Sequence, residues 1–574
     1  MFKRIFIASM VVLTAALVRV ASVAEQQPAS VAADMVLLNG KIVTLEDTQP
    51  QVEALAVGGN RIAAMGPSAA MKRHIGEKTT VIDLNGQLVI PGFVEGHGHF
   101  TGVGLARLNL NLMHAKSWDE IVGMVERAVK AAKPGQWIYG RGWHQEKWNT
   151  KPSPSVEGFP THESLSRVSP NNPVLLTHAS GHATFANAKA MEVSDITPGT
   201  PNPPGGDFLK DANGNPTGLF RETASSLIRR DAGEPPRTPE DARARARRIL
   251  ELASEEVVSK GVTSFQDAGS GFADVDLMKT LIDEGRINVR LWVMLRVSNQ
   301  ALAANMAKYR TIDYADGFLT VRAIKRSIDG ALGSRGAWLL EPYADKPGDT
   351  GRNTTPVAEI EETAKLAMRH GYQLCVHAIG DRANRETLNI FEEAFRENPG
   401  KKDLRWRVEH AQHLHPEDIA RFGRMGVIAS MQGVHCTSDA PYVVARLGPK
   451  RAEEGAYVWQ KLMKAGAIVT NGTDAPVEDV SPIASYYATV SRKTQNGSVF
   501  YGDQRMSRLE ALKSYTISGA YAAFEEDSRG SLEVGKYADL VVLSKDILSV
   551  PEDQIPSTEV RYTIVGGKIR YRKP

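Results

Sequence analysis

VIPGFVEGHGHF, residues 89–100, joins an apolar run to Pro91-Gly92, then a second apolar run and two histidines one residue apart. Side chains alternate along a β-strand, so His97 and His99 point to one side and can reach one ion. Neutral imidazole is a ligand for zinc and its neighbours, but two histidines fill only half of a four-coordinate shell. Whatever completes the shell has to come from elsewhere in the chain.

The chain has 574 residues, 42% of them hydrophobic, enough to bury a large core and to form roughly two to four domains. Lys3 and Arg4 precede an apolar run from Ile5 to Val18, and Ala21-Ser22-Val23-Ala24 supplies small residues for cleavage. This is the layout of a signal peptide over residues 1–24, short for a membrane span, with an uncleaved anchor as the other reading; it implies an exported protein, periplasmic or secreted. With no lipobox cysteine near the cut, no stable membrane insertion is expected after cleavage. Of 69 basic residues, Lys3, Arg4 and Arg19 precede the cut, which leaves 66 against 66 acidic. A mature chain without net charge gives no reason to expect nucleic acid as a partner. Cys375 and Cys436 are too few for a disulfide framework, and Cys375 lies in a strand-like run where a free thiol acts as a small hydrophobe.

From residue 34 to 89 short strands alternate with turns. Asn39-Gly40 in ADMVLLNGKIVTL is a hairpin signal, and VGGNRIAAM and DLNGQLVI repeat it. The far end, residues 526–574, has the same character in YADLVVLSKD and EVRYTIVGGKIRYR. Neither end suffices alone, so both are expected to pair into one composite β-sandwich domain around a middle region of residues 90–525. That region alternates helices with strand-like runs, the α/β pattern of a parallel sheet. Thr238 caps a helix with Pro239 at its first position, and Ile249, Leu250, Ala253 and Val257 follow at helical spacing until Gly261. With FVEGHGH as the first, eight strands are expected near 93–99, 262–267, 289–295, 318–325, 372–377, 404–409, 427–431 and 467–473, a TIM-type (β/α)8 barrel. About residues 101–237 form an insertion, opened by a Ser117-x-x-Glu120 capping box, that would cover the mouth as a lid. The densest basic run, Arg243 to Arg248, falls on a predicted helix as a solvated face.

Active sites of such barrels lie at strand C-termini. There the sequence supplies His97 and His99, Lys325, His377, His410 and Asp474, each directly after an apolar run. Four histidines, an aspartate and a lysine could hold two divalent ions if the lysine ligates. An ammonium cannot, but a lysine carbamate presents two oxygens, and burial beside cations favours the neutral amine that reacts with carbon dioxide. The other reading makes Lys325 an ion-pair or substrate contact at a one-metal site. His413 and His415 form a second HxH past the strand, beside Pro416, where helix capping is expected.

The chain resembles the metal-dependent amidohydrolase superfamily, and within it the YtcJ-like group, amidohydrolase family 3. PGFVEGHGHF is similar to the strand-one metal motif and IKRSIDGALGSRGA to the strand-four lysine segment. VHAIGDRAN, RVEHAQ and NGTDAPVEDVSP match strands five, six and eight, and GSLEVGKYADLVVL resembles the closing β-segment. The resemblance implies that His97 and His99 hold one metal and His377 and His410 a second. It makes Lys325 the bridge and puts Asp474 beside the attacking water as general base and then acid. The metal is expected to be zinc, with iron, manganese or cobalt also compatible with nitrogen and oxygen donors. Two positions depart from the family: Glu95 stands where aspartate is usual, and Gly433 where proline is usual, which puts the loop around His435 in question. His182, in a family-like GHA, and His435 are expected to face substrate, with Trp143, His144 and Glu222 shaping the pocket, although the aromatic residues here could equally pack the lid onto the barrel.

The expected activity is metal-dependent hydrolysis of a C–N bond, amide or N-acyl, in a small molecule. An ester or lactone hydrolase at the same centre is the first alternative; a non-catalytic small-molecule sensor is the second, against which the intact ligand set argues. The sequence leaves a homodimer open.

Overall fold

FVEGHG, residues 93–98, forms a strand buried along its whole length, as a strand covered on both faces must be. The computed structural model describes residues 32–233 and 238–573, so the expected signal peptide at 1–24 lies outside the described residues. Among the described residues no helix is long and apolar enough to cross a membrane.

The eight expected strands all form: β1 (Phe93–Gly98), β2 (Val262–Ser270), β3 (Arg290–Leu295), β4 (Leu319–Ser327), β5 (Gln373–Ala378), β6 (Arg407–His410), β7 (Ile428–Gln432) and β8 (Val469–Gly472). Neighbours pair in parallel in chain order. At the mouth, Asp474 N donates to His97 O (2.8 Å) and His99 N to Ala475 O (2.7 Å), tying the end of β8 back to β1. The result is a TIM-type barrel. A Cβ on Gly98 would stand 2.5 Å from the Phe265 ring of β2, so the glycine between the two histidines is what admits the neighbouring strand's side chain.

The helices follow the expected chemistry. Thr238 accepts from Asp241 N at the start of the helix Pro239–Ser259, which buries Ile249, Leu250, Ala253 and Val257. Its basic run stays toward solvent, where Arg247 pairs with Glu284 and Arg248 with Glu255. Cys375 and Cys436 are free and buried.

Between β1 and β2 the chain builds a separate mixed sheet of six strands, ordered Gly206–Lys210, Pro216–Glu222, Ala183–Ala186, Val174–His178, Ile138–Trp143 and Leu110–Asn111. The helix Trp118–Ala131 packs on it, capped by Ser117 accepting from Glu120 N at 3.1 Å. Trp118, Trp143, Leu176, Phe185 and Leu219 share its core.

The two chain ends meet in a pair of sheets. One sheet orders Arg61–Gly66, Ala54–Gly58, Met35–Leu38 and Thr80–Asp83. The other orders Lys568–Arg572, Val560–Val565, Leu540–Leu543, Leu88–Pro91, Lys41–Val43 and Gln51–Val52. Leu37, Leu55, Ile82 and Val89 from the N-terminal part and Leu540, Val542 and Ile564 from the C-terminal part lie in one apolar cluster. The expected hairpin at Asn39-Gly40 does not form: Met35–Leu38 belongs to the first sheet and Lys41–Val43 to the second. Asn39, at φ 57°, instead hands the chain from one sheet to the other, and Asn85-Gly86 of DLNG does the same between Thr80–Asp83 and Leu88–Pro91. Gly59-Asn60 and Gly566-Gly567 do close hairpins, with Gly58 opposite Arg61 and Val565 opposite Lys568.

Leu540 is fully buried in the sheet between a strand from each chain end. Leu540→Ala is expected to destabilise the protein by about 2–5 kcal/mol, read from the midpoint of urea unfolding. An unchanged midpoint would contradict a core shared by both ends.

Candidate metal centre

Alternation along β1 turns Glu95, His97 and His99 to one side. His97 is fully buried, and its Nδ1 meets Glu409 Oε2. Glu409 comes from β6, where Arg407 lies two residues earlier on the same face and holds it through Nη2 to Oε2 (3.1 Å) and Nε to Oε1 (2.7 Å). Burial opposes the Glu409 charge, but Arg407, His97 and Lys325 outweigh it and keep the carboxyl well below the usual range. A carboxylate on Nδ1 makes that nitrogen the donor and leaves Nε2 as a lone pair directed at the cleft. Burial, with Lys325 alongside, lowers the His97 pKa to about 4, so the ring is a neutral ligand type.

His410 is arranged in the same way. Its Nδ1 lies 2.7 Å from Gln432 Oε1 at the end of β7, and the Gln432 amide is held in turn by Ser430 O at 3.1 Å. The β6 backbone turns sharply here, with φ 75° at His410 and 43° at Ala411, which brings the ring round to the mouth. The His410 ring centroid is 4.7 Å from that of His97 and 4.5 Å from that of His377. His377 lies opposite Glu409 in the β5–β6 register, and its buried Nε2 has no hydrogen-bond partner among the described residues.

Asp474, at φ 56° just past β8, brings Oδ1 to 3.1 Å from His99 Nε2 and 3.5 Å from His97 Nε2. Burial opposes its charge, yet His99, His97 and His410 hold the carboxyl well below its ordinary range. Lys325 Nζ is 3.3 Å from His97 Nε2. Burial lowers the Lys325 pKa to about 8; Arg296 adds to the shift and Glu409 and Asp474 oppose it. Single donor atoms of His97, His99 and Asp474 lie within 4.8 Å of one another, as do those of His410, His435 and Asp474. His435, expected to face substrate, is therefore also close enough to share an ion with His410, and its Nε2 is unpartnered among the described residues.

Of these residues His99, Lys325, His377, His410 and Asp474 open onto a cleft of about 430 Å³ lined by barrel and lid together, and His97 is fully buried beside Lys325 and Asp474. His182 lies in the wall with Nδ1 2.7 Å from Glu222 Oε2, and its ring centroid is 5.0 Å from that of His377. A narrower lobe of about 40 Å³ continues past Ala331, Leu332, Ile379 and Tyr442, where His144 and His435 also lie. Trp143 does not line either part. It is fully buried within the lid, its Nε1 donates to Leu176 O at 3.0 Å, and its ring is taken up by Trp148, Phe159 and Phe185. His415 caps the helix Pro416–Met425, as the second HxH predicts.

Both departures from the family pattern have a local cause. Glu95 is buried and accepts from Thr473 N (2.5 Å) and Thr473 Oγ1 (3.1 Å), so its longer side chain steadies the backbone beside Asp474. Burial raises its pKa to about 8. Gly433 N donates to Asn471 Oδ1 at 2.8 Å, a bond that proline cannot make. Sequence reasoning missed Glu409, Arg407 and Gln432. Period two on VEH and SMQ places the first two inside the barrel with His377, and that was the available signal.

A family model described as "Amidohydrolase family" matches residues 80–571. The putative amidohydrolase YtcJ of Bacillus subtilis (strain 168) is 31% identical over 93% of this chain and 98% of its own length. The N-substituted formamide deformylase of Arthrobacter pascens is 26% identical over 94% and 98%. The crystal structure of an uncharacterized metal-dependent hydrolase from Pyrococcus furiosus superposes with a TM-score of 0.68 at 28% identity, covering 90% of this chain and all of that one. A match across the barrel and its closing strands, with the strand-end histidines, lysine and aspartate in one cleft, shows that the chain belongs to the amidohydrolase family.

Proposed function

We propose that the protein is an exported, metal-dependent hydrolase of a C–N bond, an amide or N-acyl linkage in a small molecule. The observation that carries this reading is the convergence of His99, His377, His410, Lys325 and Asp474 on one cleft, with His97 Nε2 beside Lys325 Nζ and Asp474 Oδ1 and with His377 Nε2 lacking a hydrogen-bond partner among the described residues. A mixed imidazole and carboxylate donor set fits a divalent cation, zinc first. His97 and His99 would hold one ion, His377 and His410 a second, with Lys325 bridging as its carbamate and Asp474 adjoining. Bound there, the metal polarises a substrate carbonyl and lowers the pKa of water. The name of the Arthrobacter pascens relative, a deformylase of substituted formamides, supports the bond type.

The chain's own groups account for the rest. Glu409 and Gln432 fix the tautomers of His97 and His410 and leave Nε2 of each directed at the cleft. Asp474, ionised, accepts a proton from the attacking water at Oδ1 and delivers it to the amide nitrogen as the C–N bond breaks. Water oxygen ends on the acyl carbon, and the products are a carboxylic acid and an amine. His182, steadied by Glu222, faces the substrate, His435 lies at the opposite wall, and Trp143 supports them only by packing the lid. The same reading treats residues 34–89 with 526–574 as one composite domain, 90–525 as the barrel and about 101–237 as its lid. A leader at 1–24 would deliver the enzyme to the periplasm or the medium.

Purified protein supplied with zinc and bicarbonate is expected to hydrolyse members of an N-acyl panel and to lose activity on chelation; no metal and no turnover would overturn the enzyme reading. Asp474→Asn should lower kcat by about 10²–10⁴-fold. Lys325→Ala should reduce metal per chain in elemental analysis, and an unchanged content of two ions would rule out the bridge.

A further inference from the structure

SMQGVH runs from β7 straight into the helix Gly433–Leu447, and His435 lies in the first turn of that helix. Two bonds seat this turn against the end of β8 and the helix Pro482–Ser491: Gly433 N donates to Asn471 Oδ1 at 2.8 Å, and Val434 N to Ser485 Oγ at 3.0 Å. A Cβ on residue 433 would stand 2.0 Å from Thr489 Oγ1 and 2.7 Å from Ser485 O. The turn lies this close only because residue 433 has no side chain and keeps its N–H. Proline, usual here in the family, has a side chain and no N–H. The departure at Gly433 therefore acts on the position of one functional side chain, His435.

What that side chain meets is a set of metal donors. His435 is 7% exposed, and its buried Nε2 has no hydrogen-bond partner among the described residues. A buried polar atom left unpaired costs about 1–3 kcal/mol, so a site that keeps one is built for a partner. A donor atom of His435 lies within 4.8 Å of donor atoms of both His410 and Asp474, and all three residues are buried. The His410 and His435 rings are parallel to within 9°, with centroids 6.3 Å apart. Gln432 takes His410 Nδ1, which leaves Nε2 as the ligating nitrogen. Two imidazoles and a carboxylate are the three protein donors of an open zinc site, whose fourth position is left to water or substrate. His377 joins no such group of three among the described residues, and its Nε2 stands 3.5 Å from Asp329 Oδ1. His410 and Asp474 line both the cleft and its narrow lobe, and His435 lines the lobe, so the three donors meet where the lobe opens from the cleft.

We infer that His435 is a metal ligand: with His410 and Asp474 it holds the second divalent ion, at the opening of the narrow lobe, a position that Gly433 brings within its reach. His435 is then a donor to the ion and not a contact to substrate. This assignment rests on the reading of the cleft as a metal centre and adds a donor to the pair His377 and His410; it does not depend on which bond is cleaved.

The probe is zinc alone, added to full-length protein stripped of metal, with affinity read by calorimetry and ion content by elemental analysis. Wild-type protein is expected to take two ions, and His435→Gln and His435→Ala one each. Affinity for the second ion should fall by more than the about 10- to 100-fold that loss of an outer hydrogen-bond partner costs. Anomalous diffraction at the zinc edge from wild-type crystals needs no variant to fold. A zinc peak about 2.0–2.1 Å from a His435 nitrogen is expected there, and a peak bonded to His410 but not to His435 overturns the assignment. Two ions held in both variants with a smaller loss of affinity than that also overturn it and leave the metal centre standing. A single wild-type ion that both variants lose supports the ligand and removes the two-ion reading; a single ion that they keep overturns the ligand. No ion in the wild type overturns the ligand and the metal centre together.

Discussion

The ion pair between Arg407 and Glu409 is completely buried inside the barrel, and the rest of the site depends on it. Taking two such charges out of water costs several kcal/mol per ion, which the pair offsets only if its remaining donors and acceptors are satisfied. Most are: Arg407 also reaches Gly96 O (2.7 Å), Ser430 Oγ (2.7 Å) and Gln266 Oε1 (2.5 Å), which spans β1, β2, β6 and β7, while its Nε and Glu409 Oε1 meet at 2.7 Å as an ion pair. Glu409 Oε2, which accepts from Arg407 Nη2, also meets His97 Nδ1. One arginine thus ties four strands together and, through one carboxylate, decides which imidazole nitrogen carries a proton. Replacing a buried ion pair by apolar residues of the same volume is often neutral or stabilising, so stability alone does not account for this pair, whereas the histidine it orients does.

The strand ends carry a second constraint. His410, Ala411 and Asp474 all have positive φ, a conformation that non-glycine residues adopt at a cost of about 1–3 kcal/mol each. The Asp474 N–H to His97 O bond and the Glu95 bonds to Thr473 hold that backbone in place. Without the kinks, β6 and β8 would run straight on and carry His410 and Asp474 past the cleft. Strain in the backbone and burial of charge in the floor therefore serve the same end, the placing of uncovered donors around a small volume.

The barrel was legible in the sequence because each of its strands is a short apolar run between helix caps, and the strand-end residues were legible because a barrel aligns them. Alternation also says which face a residue occupies. It does not say which of two sheets a strand joins: Asn39-Gly40 has hairpin chemistry, yet its flanking strands part company, since Lys41–Val43 pairs with Leu88–Pro91 and Met35–Leu38 with Ala54–Gly58 and Thr80–Asp83. Trp143 shows the same limit in the lid, where residue type allows a pocket wall or a packed core alike and only the packing of Trp148, Phe159 and Phe185 around it decides for the core. Glu409 and Gln432 escaped notice because their role is defined by a neighbour more than 20 residues away in sequence, His97 for one and His410 for the other.

Barrel and lid divide the cleft between them. The histidines, Lys325 and Asp474 all stand on or just past barrel strands, anchored by a network that crosses several strands, and they have little freedom to vary. Arg141, Ser180, His182, Glu222 and Thr223 come from the lid sheet and its turns, whose core of Trp118, Trp143 and Phe185 is separate from that of the barrel. A change in the lid can therefore reshape the cleft wall without disturbing the tautomers of His97 and His410. The inserted sheet and the barrel are thus packed around separate cores and share the walls of one cleft, to which the barrel also contributes Arg296 at the end of β3.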